Sequence, residues 1–370
     1  MFRKYLVFFN ILFVFLFFTD QFAQQKNYEF ENYFNTYFNS RKIPSASVGV
    51  AQHGKIEWLE TKGYSDIENK IPATNNSTYR IASVSKTITA VAVMQLVEKG
   101  KLRLEDNAKK YLPEFSHCKY DFTIRQLLNH TSGIRGYKEG EFDSNVHFKS
   151  FSELLRYLAK DTLQYKPGTK YLYSTLAYNL LGAIIERVTE ESFAVYVKEN
   201  IFKPSGMEHT LPDLSSEFIR TRAKGYDRKG STGFIDAPLV DLSIKIPGGG
   251  FLSTSADLLK FGIALLNGKL IKRSTLEIML KPTYLASGKK SDYGLGMVYQ
   301  MDKTGNYYFH HVGGGTGFSA HLIIYPHEEL VTVHLINLKT GDLGDPALDL
   351  SRIALHNKNG NYKNSSSAKK

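Results

Sequence analysis

The hydropathy pattern begins with an apolar run from Tyr5 to Phe18, broken only by Asn10 and preceded by Arg3 and Lys4. The run is shorter than the ~20 residues of a membrane-spanning helix, and polar residues resume at Thr19. This predicts a cleaved export leader over residues 1–23, ending at Ala23, rather than an anchor. Phe30, Tyr33, Phe34, Tyr37 and Phe38 then recur at helical spacing within Tyr28–Asn39. Ala46–Gln52 and Ile56–Gly63 read as two strands joined by a turn at His53-Gly54. Lys86–Glu98 is apolar nearly all round, which predicts a helix buried on every side. Helical spacing continues through Phe122–Asn129, Ser152–Lys160, Ala177–Thr189, Ser192–Ile201, Ser255–Leu266 and Ser274–Leu280, punctuated by Pro, Gly and Asn. Beyond Gly294 the pattern returns to short β-branched and aromatic runs. These are Gly296–Gln300, Tyr307–Val312, Ala320–Tyr325 and Val331–Asn337, with a closing helix at Pro346–His356.

Strands at both ends with helices between imply one sheet assembled from both termini, an α/β (α+β) architecture with a helical insertion. The expected division is an α/β lobe over about 28–80 and 285–356, a helical lobe over about 81–284, and a disordered basic tail at 357–370. Composition narrows the class further. With 370 residues, 42% hydrophobic, 13% aromatic and 22% charged, the chain is neither disordered, nor coiled-coil, nor collagen-like. A single cysteine, Cys118, excludes an intramolecular disulfide and any cysteine-cluster zinc site. The formal net charge of +11 comes from scattered residues, with a local excess only at Lys358, Lys363, Lys369 and Lys370. That distribution supports weak attraction to an anionic surface, not a nucleic-acid footprint. Membrane association would follow only if the leader stayed uncleaved.

For chemistry, the chain carries no G-x-S-x-G elbow, no H-E-x-x-H pair and no G-x-G-x-x-G opening a helix. His310 and His311 are adjacent, so on a strand they point to opposite faces and cannot chelate one metal together. No metal or cofactor is implied. What remains is Ser83-Val84-Ser85-Lys86 at the start of the buried helix, where residues three apart share one face. A bare S-x-x-K is ordinarily a helix cap beside a surface charge. On a buried helix, however, an unpaired lysine is costly, and desolvation gives it a neutral fraction able to take a serine proton.

Two further segments accompany this pair: Tyr171-Leu172-Tyr173-Ser174-Thr175 before a helix, and His311-Val312-Gly313-Gly314-Gly315-Thr316-Gly317 after an aromatic strand. Together they resemble the three signature elements of the serine β-lactamase and penicillin-binding-protein superfamily, most nearly its class C branch. Arg80–Thr89, Leu127–Gly133, Gly248–Asp257 and Tyr293–Gly296 resemble further blocks of that family in its order, so the likeness spans about residues 28–356. It implies a β-lactamase/transpeptidase-like fold and an acyl-enzyme on Ser83, with Lys86 holding or removing the serine proton. Tyr173 would be the second acid/base group, the N–H groups of Ser83 and Gly314 the oxyanion hole, and Thr175 and Gly313 substrate-binding positions. His311 would stand in for the family's third-motif lysine, orienting Tyr173 or the substrate. Arg125, His130 and Ser132 read as residues that fix a loop and do not touch substrate.

Two departures qualify the likeness. Thr175 stands where the family often has asparagine, and one hydroxyl cannot supply both amide donor and acceptor. His311 replaces a permanent cation. Both favour an esterase, a D-amino-acid peptidase or a weak β-lactamase over an efficient β-lactamase. The expected substrate is a small-molecule or peptide ester, D-peptide or β-lactam, met in a secreted or periplasmic location. The alternative is a non-catalytic or suicide-acylated penicillin-binding receptor.

Overall fold

The computed structural model describes residues 25–230, 233–339 and 343–366, with side chains as far as residue 356. The leader expected over residues 1–23 lies outside the described residues. Seven strands form the main sheet: β1 (Ser45–Gln52), β2 (Lys55–Asp66), β3 (Ile71–Pro72), β4 (Val298–Met301), β5 (Tyr307–Gly315), β6 (Phe318–Tyr325) and β7 (Leu330–Ile336). Their order is β4-β5-β6-β7-β1-β2-β3, every pair antiparallel, so strands from the two chain ends meet at β7 and β1. Ala46 lies opposite Ile336 and Gln52 opposite Leu330 in that central pairing. The β1–β2 turn uses His53 at φ +50° and Gly54 at φ +78°, the left-handed pair a tight two-residue hairpin requires.

Both faces of the sheet are covered, which is why its strands read as continuous apolar runs. Ala320, Leu322, Ile324, Val331, Val333 and Leu335 face the central helices. Ala46, Val48, Val50, Ile323, Tyr325 and Ile336 face two terminal helices, one over residues 25–41 and one over Pro346–Ser366. The helix Ser85–Glu98 is buried along almost its whole length, from Ser85 to Leu96. Its rings of Ile, Val and Met leave no polar stripe, so it can only be central.

Several boundaries differ from the sequence expectation for physical reasons. The helix expected at Ala177 starts at Thr175, because Ser174 caps it by accepting a hydrogen bond from the Ala177 N–H. β5 runs through Gly315 instead of ending at Val312. Glycine is required there: a Cβ at Gly313 would lie 2.2 Å from the Ile81 carbonyl oxygen. The closing helix extends to Ser366, into the stretch read as a disordered tail. Its anchored first turns propagate the helix. Finally, Ser255–Leu266 falls in the helical lobe by chain order but packs on the sheet. Its Ser255 hydroxyl donates to the Ser47 carbonyl at 3.0 Å, and Gly262 lies against Val331. The lobe boundary is therefore spatial and not a cut at residue 284.

Candidate active site

Ser83 sits in a tight 3-10 turn, Ala82–Val84, between the short strand Tyr79–Arg80 and the buried helix. The turn is held at Ile81, whose N–H donates to the Phe251 carbonyl at 3.0 Å. Ala82 adopts φ +45°, a left-handed conformation that a residue with a Cβ rarely takes. Strain of this kind concentrates where a fold must present a particular side chain, and here it presents Ser83, the half-buried residue of an otherwise buried turn. Because Gly313 lets β5 pass directly over Ile81, the Gly314 and Gly315 backbone arrives beside the serine. Strand β4 pairs with β5 only as far as His310, so among the described residues no strand flanks Gly313–Gly315 on that side.

Lys86 is fully buried, one turn up from Ser83. Its Nζ lies 3.0 Å from Ser83 Oγ, 3.1 Å from Thr175 Oγ1 and 2.5 Å from the Gly248 carbonyl oxygen. Gly248 must lack a side chain to bring that carbonyl in, since a Cβ would fall 2.5 Å from Thr175 Cγ2. Among the described residues no carboxylate pairs with Lys86. Burial, reinforced by the charge of Lys245, pushes its pKa well below the usual lysine value. A neutral amine donates two hydrogen bonds and accepts one. The Gly248 carbonyl can only accept and Thr175 Oγ1 is placed to accept, which leaves the lone pair for the Ser83 O–H.

Tyr173 completes the trio. Lys86 Nζ stands 4.8 Å from the centre of its ring, and the residue as a whole is 37% exposed. Burial of the phenol raises its pKa, and the neighbouring Ser83 hydroxyl partly offsets this. His311 is buried, with Nδ1 2.8 Å from the Val312 carbonyl and Nε2 2.9 Å from Tyr293 Oη. Burial and the nearby Lys86 charge press its pKa down to about 3, so it is neutral: Nδ1–H donates to the carbonyl and Nε2 accepts from Tyr293. The sequence reading had His311 orient Tyr173 or the substrate. Its hydrogen bonds instead go to Tyr293 and its own strand, while Tyr173 is a ring neighbour at 6.3 Å. Thr175, Gly314 and Gly315 line the cleft with Ser83.

Sequence reasoning missed Lys245 and the roles of Tyr293 and His130 around Tyr173 and His311. Tyr293 hydrogen-bonds His311 and meets the His130 ring edge-on, with centroids 4.6 Å apart. His130, read as loop-fixing, does fix a loop: its Nδ1 accepts from the Ser174 N–H at 3.1 Å. It also packs 4.4 Å from the Tyr173 ring. Lys245, 6% exposed, lines the cleft and donates to the Phe142 carbonyl. Nothing in the sequence marks Lys245, which approaches from a segment 159 positions beyond Lys86. Burial brings its pKa down to about 8. Its charge disfavours the protonated form of Lys86, so Lys245→Met should raise the Lys86 pKa. Where catalysis needs the neutral amine, the acid limb of the kcat/KM–pH profile should then move up by up to about one pH unit. An unmoved or downshifted limb contradicts this coupling.

A serine hydroxyl, a carboxylate-free buried amine and a phenol, set beside an antiparallel sheet, define a serine hydrolase of the β-lactamase and penicillin-binding-protein type. Residues 30–356 match the family model described as Beta-lactamase, and the chain belongs to that family. It is 31% identical to the human serine beta-lactamase-like protein LACTB, mitochondrial, over 80% of this chain and 71% of that protein. It is likewise 31% identical to penicillin-binding protein 4* of Bacillus subtilis (strain 168), over 85% of this chain and 72% of that protein. Among solved structures, the D-amino acid amidase of Ochrobactrum anthropi SV3 superposes with a TM-score of 0.77 at 22% identity, covering 90% of this chain and 99% of the amidase. EstCE1, a hydrolase with promiscuous acyltransferase activity, gives a TM-score of 0.76 at 21% identity over 90% of this chain and 99% of that one. At these identities the two structures speak to the fold.

Proposed function

We propose that the chain is an exported, class C-like serine hydrolase that cleaves an ester or amide through an acyl-enzyme on Ser83. The observation that carries this reading is the Lys86 amine, buried without a carboxylate and 3.0 Å from the Ser83 hydroxyl. Ser83 Oγ attacks the acyl carbon as its proton passes to Lys86 Nζ. The resulting oxyanion is met by the N–H groups of Ser83 and Gly314. Tyr173 delivers its own proton to the leaving oxygen or nitrogen as the tetrahedral intermediate collapses, leaving a phenolate beside the Lys86 ammonium. Water then attacks the ester on Ser83, giving up a proton to Tyr173, and the released serine oxygen recovers the proton from Lys86. An extended substrate lies along the free edge at Gly313–Gly315, with Thr175 at its flank. Export rests on the leader read at residues 1–23.

The donor set around the acyl group favours esters. Thr175 Oγ1 is engaged by Lys86, and His311 is neutral and turned to Tyr293. The grip on a substrate amide and on a β-lactam carboxylate is therefore weak, apart from the positive potential of Lys245. The expected result is a kcat/KM for short-chain nitrophenyl esters above that for a cephalosporin; the reverse ranking would overturn the ester preference. One equivalent of product followed by no further turnover would identify the penicillin-binding receptor instead.

A further inference from the structure

On the face of the sheet turned away from Ser83, three histidines come together that the hydrolase chemistry does not use. His321 on β6 lies directly opposite His334 on β7, and His310 on β5 is the diagonal neighbour of His321. In a directly opposed cross-strand pair the Cβ atoms are about 5 Å apart. Their strand neighbours on that face, Ile323 and Ile336, belong to the core under the terminal helices. His321 and His334 are each 4% exposed. Asp345, just before the closing helix, reaches into the same space.

The geometry points to a divalent-cation site of the zinc type, formed by His321, His334 and Asp345, that clips the closing helix to the sheet. One ligand atom from each residue falls within 4.8 Å of the other two. His334 Nδ1 stands 3.4 Å from Asp345 Oδ1, and His321 Nδ1 stands 2.8 Å from Asp345 Oδ2. Ligands at ~2.0–2.1 Å from a tetrahedral zinc sit about 3.3 Å from one another, so the 2.8 Å contact has to open by about half an ångström, and any pair near the 4.8 Å limit has to close. His334 Nδ1 is buried, and its polar neighbour among the described residues, Asp345 Oδ1 at 3.4 Å, is not aligned as a hydrogen bond, a position a neutral imidazole seldom tolerates unless something accepts its lone pair.

The surroundings are those of a metal ligand set. His310 Nδ1 lies 2.8 Å from His321 Nε2, so His321 can keep its proton on Nε2, donate it to His310, and turn the Nδ1 lone pair to the cation. Metal-bound histidines are commonly held by such an outer hydrogen bond. Asp345 is held in turn: its Oδ1 accepts from the Leu348 N–H at 3.1 Å. Its side chain is 31% exposed, which gives the cation a path in. Three protein ligands leave a fourth position for water. The adjacency of His310 and His311 rules out a shared metal for that pair, and the site uses neither as a ligand.

The test is titration of the chelator-treated full-length protein with Zn²⁺ and with Co²⁺, followed by calorimetry, visible absorption and melting. One equivalent bound, a tetrahedral Co²⁺ spectrum, and a Tm raised by about 3 °C or more at saturating zinc are expected. His334→Ala and His321→Ala should each lower the affinity at least tenfold. His334→Gln serves if an alanine variant does not fold. Ester turnover should be unaffected by His334→Ala, which separates this site from the hydrolase reading. No stoichiometric binding, or binding that persists undiminished in these variants, overturns the site and leaves a hydrogen-bonded cluster.

Discussion

Ser83→Ala is expected to lower kcat/KM for a short-chain nitrophenyl ester by about four orders of magnitude or more, the loss typical of removing a nucleophile that works as one unit with its base. The Tm should hold within a few degrees. Ser83 is half-buried at the cleft and its turn is secured by backbone, through the Ile81–Phe251 bond and the glycine contact at Gly313. A hydroxyl is therefore removed without opening the core. Residual activity within tenfold of wild type would mean another group is acylated, or that the cleft is a scaffold whose chemistry lies elsewhere.

Lys86→Met is expected to cost about two to four orders of magnitude in kcat/KM, the usual range for a positioned general base. Methionine matches the length of the stem but offers no proton acceptor to Ser83. Its effect on stability should be small by comparison. The Gly248 carbonyl loses its 2.5 Å partner, which costs about 1–3 kcal/mol when a buried acceptor is left unmet. Against that, a fully buried amine no longer has to be desolvated. The measurement is a paired kcat/KM and thermal melt. Activity that survives above a tenth of wild type, or that falls only in step with unfolding, would show that Lys86 is structural.

The acid limb of the rate follows from the direction of the Lys86 shift. Burial favours the neutral amine, so the reactive form is present above the depressed pKa and is lost as pH falls through it. The same shift makes the folded state bind fewer protons than the unfolded chain between the two pKa values. Stability contributed by this group therefore rises with pH across that window.

Much of this arrangement was legible in the chain. The short apolar, β-branched and aromatic runs at both ends placed the sheet, because strands buried on both faces read as continuous apolar segments. The all-round apolar helix after Ser83 made an exposed Lys86 untenable, and that single conflict of local rules pointed to chemistry. Long-range neighbours left no comparable mark. Lys245 and Gly248 reach Lys86 because a glycine turn packs on Thr175, a contact no periodicity encodes. Tyr293 captures His311 for the same reason: a strand position specifies a face, not the partner across it. The histidines at 310, 321 and 334 look unrelated in sequence and become neighbours only through the β5–β6–β7 register. Helix limits moved where caps decided them, as Ser174 did for Thr175.

The most direct measurement is the intact mass of the wild-type protein after exposure to a fluorophosphonate or a penicillin, with the adduct mapped by peptide digestion. One covalent equivalent on the peptide containing Ser83, absent from the alanine variant, is the predicted result. No adduct, or modification at any other residue, would contradict the hydroxyl–amine–phenol trio as the reacting centre.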